Sequence, residues 1–480
     1  MPLPEAPSPA KISALRAELE ALRAELEAEF RGSGTELGSD RPGLELIGPE
    51  KPSELRRLSV DFFDYSPVLV PLLQGHLAQL VARVFSVAQV RAVAGACARH
   101  GVPLTCRGSG TGNYGQCVPL AGGVVLDLSG LNQLRSLDAT SGVIEVEAGC
   151  LMGDLDRQLV EAGRALRLVP STARSATIGG FIAGGSGGIG SLHWGFLRDP
   201  GNLLGLEVVT LEPEPRLLSL DAAASAPLNH AYGTNGIITA LRLPTAAAVA
   251  WVQLVVGFAN WEQALAAAQA LPATALELQS ITLLENDVAL QMPWPTGCSD
   301  PNGEHRLLLL AAPASMEVLP GWLADRGGAL LWQAPQGQSK GIPLRELSWN
   351  HTTLHWRTSR KGWTYLQLLL PQPEGPCLAE LRRRWGASIC WHLEAVKNQG
   401  AARLACLPLV KWQGETHLQQ LIADCRELGA FLFNPHVLSV EDGGLGVVDA
   451  NQVAAKATYD PAGLLNPGKL RGWLERNAPL

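Results

Sequence analysis

The sequence predicts an α+β protein with more than one domain. Its 480 residues exceed what one ordinary hydrophobic core holds, so we expect two or three domains. A helical pattern at residues 87–101 leads through a short strand into a glycine-rich loop, and a β-branched run follows that loop where a nucleotide-binding fold would begin a helix. From about residue 246 the composition changes to tryptophan, proline and charged helical segments, which indicates a further domain of mixed helices and strands.

Composition and charge exclude several kinds of partner. The net charge of -7 and the charged fraction of 17% give no positive field for nucleic acid. No apolar run approaches the roughly 20 residues that span a bilayer, and no signal-peptide core follows Met1, so we expect a soluble, cytoplasmic protein without a transmembrane segment. The nine cysteines include no C-x-x-C pair, which argues against disulfides, zinc and iron–sulfur clusters.

The N-terminal segment repeats the letters ALRAELE at residues 14–20 and 21–27. The repeat places apolar side chains at alternating spacings of three and four, on one helix face. These side chains are Ile12, Leu15, Leu19, Leu22 and Leu26. Because fewer than three heptads form a weak isolated coiled coil, we expect the helix to pack on its own protein rather than to form a dimer zipper. A linker follows at residues 31–43.

The next elements lead into the first glycine-rich loop. VLVPLL at residues 68–73 reads as a strand, residues 87–101 as a helix that Gly101 ends, and residues 102–107 as a short strand. CRGSGTGNYGQC at residues 106–117 then contains a G-x-G-x-x-G. A Rossmann turn would open a helix on the third glycine, whereas a strand follows here, and a P-loop would require Lys-Ser/Thr. The loop is therefore either a turn whose backbone N–H groups converge on an anion such as a pyrophosphate, or a tight glycine turn without a ligand.

A second glycine-rich segment, ATIGGFIAGGSGGIGS at residues 176–191, favours the ligand. Each glycine in regular structure costs about 0.5–1 kcal/mol of backbone entropy. Two such segments are hard to explain as structural turns, so we expect a flat or anionic ligand to lie against both.

Four segments together resemble the FAD-dependent oxidoreductases of the vanillyl-alcohol oxidase type, also called the p-cresol methylhydroxylase (PCMH) superfamily, in its glycolate oxidase and D-lactate dehydrogenase branch. The segments lie at residues 101–116, 169–210, 232–241 and 459–470. The resemblance implies a two-subdomain PCMH-type FAD-binding domain at 51–245 and an α+β cap domain with an antiparallel sheet at 246–425. A C-terminal segment, 426–480, would return to the FAD domain, and 1–50 would form the N-terminal helix and linker.

FAD is the cofactor that the resemblance implies, held by both glycine-rich segments. The first loop would hold the diphosphate, the second would line the adenosine and isoalloxazine portions, and the C-terminal tail would pack by the flavin. The residues so implied are Arg107, Gly108, Ser109, Gly110, Thr111, Gly112, Asn113, Gln116, Pro170, Ser171, Thr177, Gly179, Gly180, Gly184, Gly188, Gly190, Ile238, Asn466 and Lys469. Thr111 stands where covalently tethered relatives carry a histidine, and threonine is a poor nucleophile, so we expect non-covalent FAD.

The catalytic prediction follows from hydride transfer to FAD, which leaves the protein to position the substrate and remove its hydroxyl proton. For a 2-hydroxy acid, the substrate class that the resemblance favours, an arginine would bind the carboxylate and a histidine or carboxylate would act as base. WNHTTLHWRTSRK at residues 349–361 reads as a strand, which would place His351, His355 and Arg357 on one face. An exposed polar strand face is the alternative interpretation.

Two motifs of the glycolate and lactate members are missing. The metal-binding H-x-G-D-G-N-x-H is absent, and CWHLEAVK offers only His392 and Glu394, which read as ordinary sheet residues, so we expect no metal. SVEDGGLG at residues 439–446 stands in place of G-E-H-G-x-G. Glu441 or Asp442 could replace the acidic residue, and His436 could supply the histidine or cap a turn.

The function predicted is therefore FAD-dependent oxidation of an alcohol carbon in a small-molecule substrate, with a glycolate- or D-lactate-like 2-hydroxy acid favoured. Oxidation of a sugar, lactone or aromatic alcohol is the alternative within enzymes. A non-catalytic flavin-binding subunit of an oxidase complex is the alternative outside them. A homodimer or a partner oxidase subunit are the protein assemblies left open.

Overall fold

The structure is a computed structural model that describes residues 9–30 and 41–476, with side chains described from Leu15 onward. Within these ranges the chain has the α+β architecture predicted from the sequence, with β-sheets in three consecutive regions. None of the helices in this part of the chain is both long and apolar enough to cross a bilayer. The side chain of Ile12 and residues 31–40 of the predicted linker at 31–43 lie outside the described part of the chain.

The first region contains a small sheet with the strand order β1-β2-β4-β3, in which β4 runs parallel to both β2 and β3. Its elements are α1 (Pro9–Glu29), β1 (Glu45–Ile47), α2 (Pro52–Ser59), α3 (Leu69–Leu73), β2 (Leu80–Arg83), α4 (Val87–Arg99), β3 (Leu104–Arg107) and β4 (Val124–Asp127). The predicted order of strand, glycine-rich loop and strand is confirmed, because residues 108–123 connect β3 to β4.

The strand predicted at residues 68–73 is wrong, because this segment forms the helix α3. Leu69 and Leu73 are buried at a spacing of four, which is the spacing of one helix face. Pro71 lies in the first turn, where its missing N–H would have had no helical partner. A proline cannot donate to a strand ladder, so the same residue disfavours a central strand.

Helix α1 packs on its own protein, as predicted. Leu19, Leu22 and Leu26 are buried in the cluster that also contains Val90 and Val93 of α4. The exposed side of α1 then carries acidic and basic residues. The heptad pattern therefore describes an intramolecular contact in this structure.

We expect Leu22→Ala to lower the free energy of unfolding by about 2–5 kcal/mol, because the fully buried leucine would leave a cavity between α1 and α4. Urea denaturation of the variant and of the parent measures this difference. Glu20→Ala is the matched control, since Glu20 lies on the exposed face of the same helix. Equal stability of the two variants would show that α1 does not contribute to the folded core.

The second region is an antiparallel sheet in which β10 is central, pairing with β6, β8 and β7. The second glycine-rich segment lies between β7 and β8 and contains the short helix α6. The elements are β5 (Leu134–Leu137), β6 (Val143–Glu147), α5 (Met152–Glu161), β7 (Arg164–Leu166), α6 (Ile178–Gly184), α7 (Ser191–Trp194), β8 (Gly205–Val209), β9 (Leu217–Asp221), α8 (Ala222–Ser225) and β10 (Ile237–Ala247).

The cap region is built on a long antiparallel sheet with the order β14-β11-β13-β12-β18-β19-β16-β21, beside a short sheet β15-β20-β17. Its elements are β11 (Val252–Phe258), α9 (Trp261–Ala270), β12 (Leu278–Leu284), α10 (Asn286–Ala289), β13 (His305–Ala311), α11 (Leu319–Ala324), β14 (Gly328–Pro335), α12 (Asn350–Ser359), β15 (Trp363–Tyr365), β16 (Gln367–Leu369), α13 (Glu374–Trp385), β17 (Ile389–Cys390), β18 (His392–Asn398), β19 (Ala401–Cys406), β20 (Leu409–Lys411), α14 (Glu415–Glu427) and β21 (Phe431–Phe433). Strand β21 pairs with β16, so the cap sheet extends beyond residue 425.

The C-terminal segment returns to the first region. It contains α15 (Val440–Gly443), α16 (Ala450–Tyr459) and α17 (Arg471–Arg476). The backbone N–H of Leu104 donates to Leu464 O at 2.9 Å, and the N–H of Asn466 donates to Leu104 O at 2.7 Å. The tail therefore runs beside β3, next to the start of the first glycine-rich loop.

Candidate functional site

A cavity of ≈ 340 Å³ lies where the first region, the second region and the cap meet. Both glycine-rich segments face it, and so do residues of β10 and of the cap. The residues that the sequence assigned to FAD and that line the cavity are Arg107, Gly108, Ser109, Gly110, Thr111, Gly112, Asn113, Gln116, Pro170, Ser171, Thr177, Gly179, Gly180, Gly184 and Ile238.

The first loop is held in a tight turn by Arg107 and Gly110. Gly110 has φ +70°, a backbone conformation that residues other than glycine rarely adopt. A Cβ added to Gly110 would overlap the Arg107 guanidinium. That guanidinium donates to Val60 O at 2.6 Å and to Ser109 O at 3.2 Å. Arg107 therefore braces the loop from within while it also borders the cavity.

The two glycine-rich segments touch each other across the cavity. A Cβ added to Gly108 would overlap Thr177 Oγ1, and one added to Gly184 would lie 3.0 Å from Gln116 Nε2. Gln116 Nε2 also donates to the backbone oxygen of Gly184 at 2.8 Å. Glycine at these two positions thus lets the segments approach each other more closely than any residue with a side chain would allow.

Four residues assigned to FAD do not line the cavity but support the segments that do. Lys469 is fully buried, and its Nζ donates to Gly115 O, to Gln116 O at 2.9 Å and to Val118 O at 2.7 Å. Burial lowers the pKa of Lys469 to about 8. Asn466 Nδ2 donates to Gln116 O at 2.9 Å. These two side chains bind the backbone of the first loop without lining the cavity themselves.

Gly188 and Gly190 are the other two supports, and they lie against the chain that precedes the second segment. A Cβ on Gly188 would overlap the backbone oxygen of Val169, and one on Gly190 would overlap that of Arg167. Both glycines allow close packing of two backbone segments. The sequence shows a high density of glycine here, but it does not show which glycines pack on backbone and which would contact a ligand.

Asp61 is a cavity residue that the sequence did not reveal. Its Oδ1 accepts from the N–H of Phe63 at 3.1 Å, whereas its buried Oδ2 has no partner among the described residues. Burial raises the pKa of Asp61 to about 6. Arg107 Nε is likewise buried without a partner in the described part of the chain. No motif marks Asp61, since VDFFDYS resembles ordinary loop sequence.

These observations meet the requirements of FAD. The cofactor presents an anionic diphosphate, hydroxyl groups and a flat ring system. Glycine residues of both segments line the cavity, and Asp61 Oδ2 and Arg107 Nε offer an acceptor and a donor without partners among the described residues, so the residues present fit the group.

The cap wall of the cavity contains the start of helix α12, and the predicted strand at residues 349–361 is therefore wrong. Trp349 precedes the helix with φ 50°, and its N–H donates to Glu394 Oε1 at 2.7 Å. This buried carboxylate also hydrogen-bonds His392 Nε2. His392 and Glu394 both lie on the sheet strand β18, as the sequence predicted, and Glu394 binds the backbone just before α12. Trp349, Asn350, His351 and Leu354 line the cavity. Alternating polarity misled the prediction because the helix is only partly buried.

The helix separates the three residues that a strand would have placed together. His351 lines the cavity, and its pKa is lowered to about 4, chiefly by burial. His355 lies one turn later, with a ring-to-ring distance of 6.1 Å, and its Nε2 lies 3.0 Å from Glu346 O. Arg357 donates to Asp64 O at 2.7 Å and stacks 4.6 Å above the Tyr65 ring. Neither His355 nor Arg357 is among the residues lining the cavity.

His436 and Glu441 also lie away from the cavity lining. The Nε2 of His436 donates to Tyr365 O at 2.8 Å, so its Nδ1 accepts from the Ser66 hydroxyl at 2.7 Å. Burial lowers its pKa to about 4. Glu441 accepts from the N–H groups of Arg471 and Gly472 at 2.9 and 2.8 Å, which caps α17. Both side chains thus have structural partners.

Further polar groups on the cap side were not found from the sequence. Gln367 Nε2 donates to Tyr114 OH at 2.6 Å, and Asn113 Nδ2 donates to Tyr365 OH at 2.7 Å. Burial raises the pKa values of Tyr114 and Tyr365, so both phenols are neutral. Tyr114 belongs to the quoted loop and could have been singled out there, whereas the pairing with Gln367 depends on the fold. Among the described residues, no cluster of three or more His, Cys, Asp or Glu side chains could hold a metal ion.

Comparison with known proteins supports the same cofactor. Residues 78–216 match the FAD binding domain family. The chain is 25% identical over 417 residues to glycolate oxidase subunit GlcD of Bacillus subtilis, covering 78% of this chain and 85% of that protein. It is 26% identical over 222 residues to D-lactate dehydrogenase of Anaerostipes hadrus, and that alignment covers 44% of this chain and 46% of the relative.

The fold is shared with a solved structure over nearly the whole chain. An alkyldihydroxyacetonephosphate synthase superposes with a TM-score of 0.69 at 16% identity, covering 94% of this chain and 85% of the synthase. The likeness confirms the predicted α+β fold class with antiparallel sheets. The family match at residues 78–216 contains both glycine-rich segments, and the chain is an FAD-linked oxidoreductase.

Proposed function

We propose that this oxidoreductase takes a hydride from a carbon that bears a hydroxyl group and passes it to FAD held in the cavity. One observation carries the proposal: the two glycine-rich segments and the polar and aromatic wall of the cap border the same cavity. FAD supplies the hydride acceptor when it is bound. The names of the relatives include glycolate and D-lactate, which are 2-hydroxy acids, and so support a 2-hydroxy acid as the first substrate class to test.

The chain's part in binding FAD is divided between backbone and side chains. The backbone N–H groups of residues 108–113 would bind the diphosphate, because glycine at three of these positions permits the tight turn in which successive N–H groups converge on an anion. Asp61 Oδ2 can accept a hydrogen bond from a hydroxyl group of FAD, and Arg107 Nε can donate a hydrogen bond to an acceptor. Lys469 keeps the loop in place through its three bonds to carbonyl oxygens.

His351 is the group that we propose as proton acceptor for the substrate hydroxyl. Of the five residues that the sequence offered for catalysis, it alone lines the cavity. Its lowered pKa keeps the imidazole neutral near pH 7, and a neutral imidazole can accept a proton. Gln367 Nε2 donates to Tyr114 OH at 2.6 Å and to Asn350 Oδ1 at 3.4 Å, and these three cavity residues can orient the substrate through their remaining hydrogen-bonding atoms.

Anaerobic mixing with candidate substrates tests the function. An alcohol that is a substrate should bleach the flavin band of the FAD-loaded protein and yield one carbonyl product per FAD. A panel of 2-hydroxy acids, sugars, lactones and aromatic alcohols covers the classes under consideration. Bound FAD that no member of the panel reduces would instead favour a flavin-binding subunit without turnover.

We expect FAD to leave the protein on acid denaturation, because Thr111 offers no nucleophile for a covalent link to the flavin methyl group. Thr111 lines the cavity, as the loop position predicts. Acid precipitation followed by a spectrum of the supernatant measures the released flavin. Flavin that stays with the pelleted protein would contradict non-covalent binding, and peptide mapping would then locate the attachment.

A partner subunit is a further proposal, supported by the name of GlcD as a subunit. The turn after α15 also exposes two large apolar side chains, Leu445 at 64% and Val447 at 62%. Such exposure is common at protein interfaces. Light scattering of the purified chain separates a monomer that awaits a partner from a homodimer.

A further inference from the structure

The cavity wall opposite the glycine-rich segments carries no charge that would hold a substrate carboxylate. Among the described residues that line the cavity, the only Arg, Lys, Asp or Glu side chains are Asp61 and Arg107. Both belong to the side formed by the first loop. The cap side presents Asn350, His351 and Gln367 as its polar groups, and these are uncharged near pH 7.

Arg107 is not available to a substrate carboxylate in this arrangement. Its Nη1 donates to Val60 O at 2.6 Å and to Cys117 Sγ at 3.3 Å, and its Nη2 donates to Ser109 O at 3.2 Å. The guanidinium lies directly under Gly110, within the loop assigned to FAD. Turning it toward the cap would break the contacts that shape that loop.

Two arginines close to the cap wall, Arg174 and Arg357, do not line the cavity and are paired outside it. Arg174 forms an ion pair with the buried carboxylate of Glu346. Arg357 binds the Asp64 backbone oxygen, lies 3.4 Å from the Asp64 carboxylate and stacks on Tyr65. Arg357 had been expected from the sequence to hold a carboxylate, and in the structure its guanidinium is engaged elsewhere.

The remaining surface of the cap wall is aromatic or aliphatic. Trp349, Leu354 and Leu407 line it from the cap, and Phe433 faces Phe196 at a ring-centroid distance of 6.5 Å. A carboxylate placed among these groups would lose its hydration without gaining an opposite charge, which costs far more than burying a hydroxyl or carbonyl that the amides can pair. An aryl or alkyl group would gain by burial there.

We infer that the substrate is an uncharged alcohol with an aromatic or alkyl body, whose polar group is bound by Asn350 and Gln367. This inference rests on the proposed function for the chemical step and narrows its substrate class, so that 2-hydroxy acids enter as esters or not at all. In the step, the carbinol carbon loses a hydride to FAD and the hydroxyl loses its proton to the protein. The products are an aldehyde or ketone and reduced FAD.

A matched pair of substrates tests the inference on the FAD-loaded protein. Methyl mandelate and mandelate share the same carbinol carbon and phenyl ring. The ester is uncharged and carries one additional methyl group, whereas mandelate carries a carboxylate. Both enantiomers of each are mixed anaerobically with the protein. We expect the ester to reduce the flavin at least about tenfold faster than the acid at equal concentration. Equal or faster reduction by mandelate would overturn the inference and leave the proposed function standing.

Binding of the two ketone products distinguishes the inferred uncharged substrate site from the proposed oxidation. Methyl benzoylformate and benzoylformate cannot donate a hydride, and each can be titrated against the flavin spectrum. Tighter binding of the ester without reduction by either alcohol would support the uncharged site and refute the proposed oxidation. Tighter binding of the acid, or binding of neither compound, would overturn the inference.

A positive charge added to the cap wall should reverse the preference for the ester over the acid. Leu354→Arg introduces a guanidinium on the cap wall, and we expect it to favour mandelate over its ester. Leu330→Arg is the control, because Leu330 is 41% exposed on β14 and does not line the cavity. The preference should stay unchanged in the control, and the flavin spectrum shows whether each variant retains FAD. An unchanged preference in an FAD-loaded Leu354→Arg protein would count against the inferred wall.

Discussion

Gly110→Val should abolish FAD binding, the largest effect that we expect from one substitution. A β-branched residue at φ +70° is strained, and its Cβ would overlap the Arg107 guanidinium that braces the first loop. Displacing that guanidinium also frees Val60 O and Ser109 O, so the loop would lose the shape that presents its N–H groups. The ratio of FAD to protein after purification, and after incubation with added FAD, measures the loss.

Gly163→Val is the matched control for that substitution. Gly163 has the same φ of +70° but no atom within 4 Å of an added Cβ, so the variant carries the same backbone strain without the overlap. Gly163 lies in the turn between α5 and β7, away from the cavity lining. We expect it to retain full FAD occupancy with some loss of thermal stability. Full occupancy in a folded Gly110→Val protein, judged by circular dichroism, would refute the proposed loop.

His351→Ala should slow flavin reduction by roughly 10²–10⁴-fold, the usual contribution of a positioned base. FAD occupancy should stay near that of the parent, because the binding groups lie on the opposite side of the cavity. His355→Ala is the control on the same helix, since His355 is bound to Glu346 O and does not line the cavity. Anaerobic stopped-flow reduction compares the two variants with the parent. A larger loss in His355→Ala would instead identify His355 as the base.

The pH dependence of the parent gives a second check on His351. Burial lowers its pKa to about 4 from the usual 6.5, so the folded protein keeps the neutral ring where an unfolded chain would protonate it. Between pH values of about 4 and 6.5 the unfolded state therefore binds more protons than the folded state. The free energy of unfolding consequently falls as the pH falls from about 6.5 toward 4. The reduction rate should be level at neutral pH and fall toward pH 4. Loss of this acid limb in His351→Ala would agree with its role.

The order of strand, glycine-rich loop and strand around residues 104–127 was predicted from the sequence because its signals are local. Glycine density, the absence of a helix after the loop and the strand on each side are all visible in the letters between residues 104 and 127. The terminal segment was placed near the flavin by resemblance, and the bonds of Lys469 to the first loop give the physical reason for its position.

The cap wall was predicted poorly because its side chains meet only in three dimensions. His351, His355 and Arg357 alternate in sequence, and that pattern suits a strand as well as a half-buried helix turn. The helix instead buries Thr352, Thr353 and Trp356, and the N–H of Trp349 just before it donates to the buried Glu394, 45 residues away along the chain. Asp61 and Gln367 likewise become cavity residues only through tertiary contacts.

The most direct measurement of the central claim is an anaerobic titration of the purified, FAD-loaded protein with uncharged alcohols, followed by the flavin absorbance and by assay of the product. The account predicts bound FAD that is bleached by such an alcohol, with one aldehyde or ketone formed for each FAD reduced. A protein that binds no FAD would contradict the proposed cavity, and bound FAD that neither uncharged alcohols nor 2-hydroxy acids reduce would contradict the proposed oxidation.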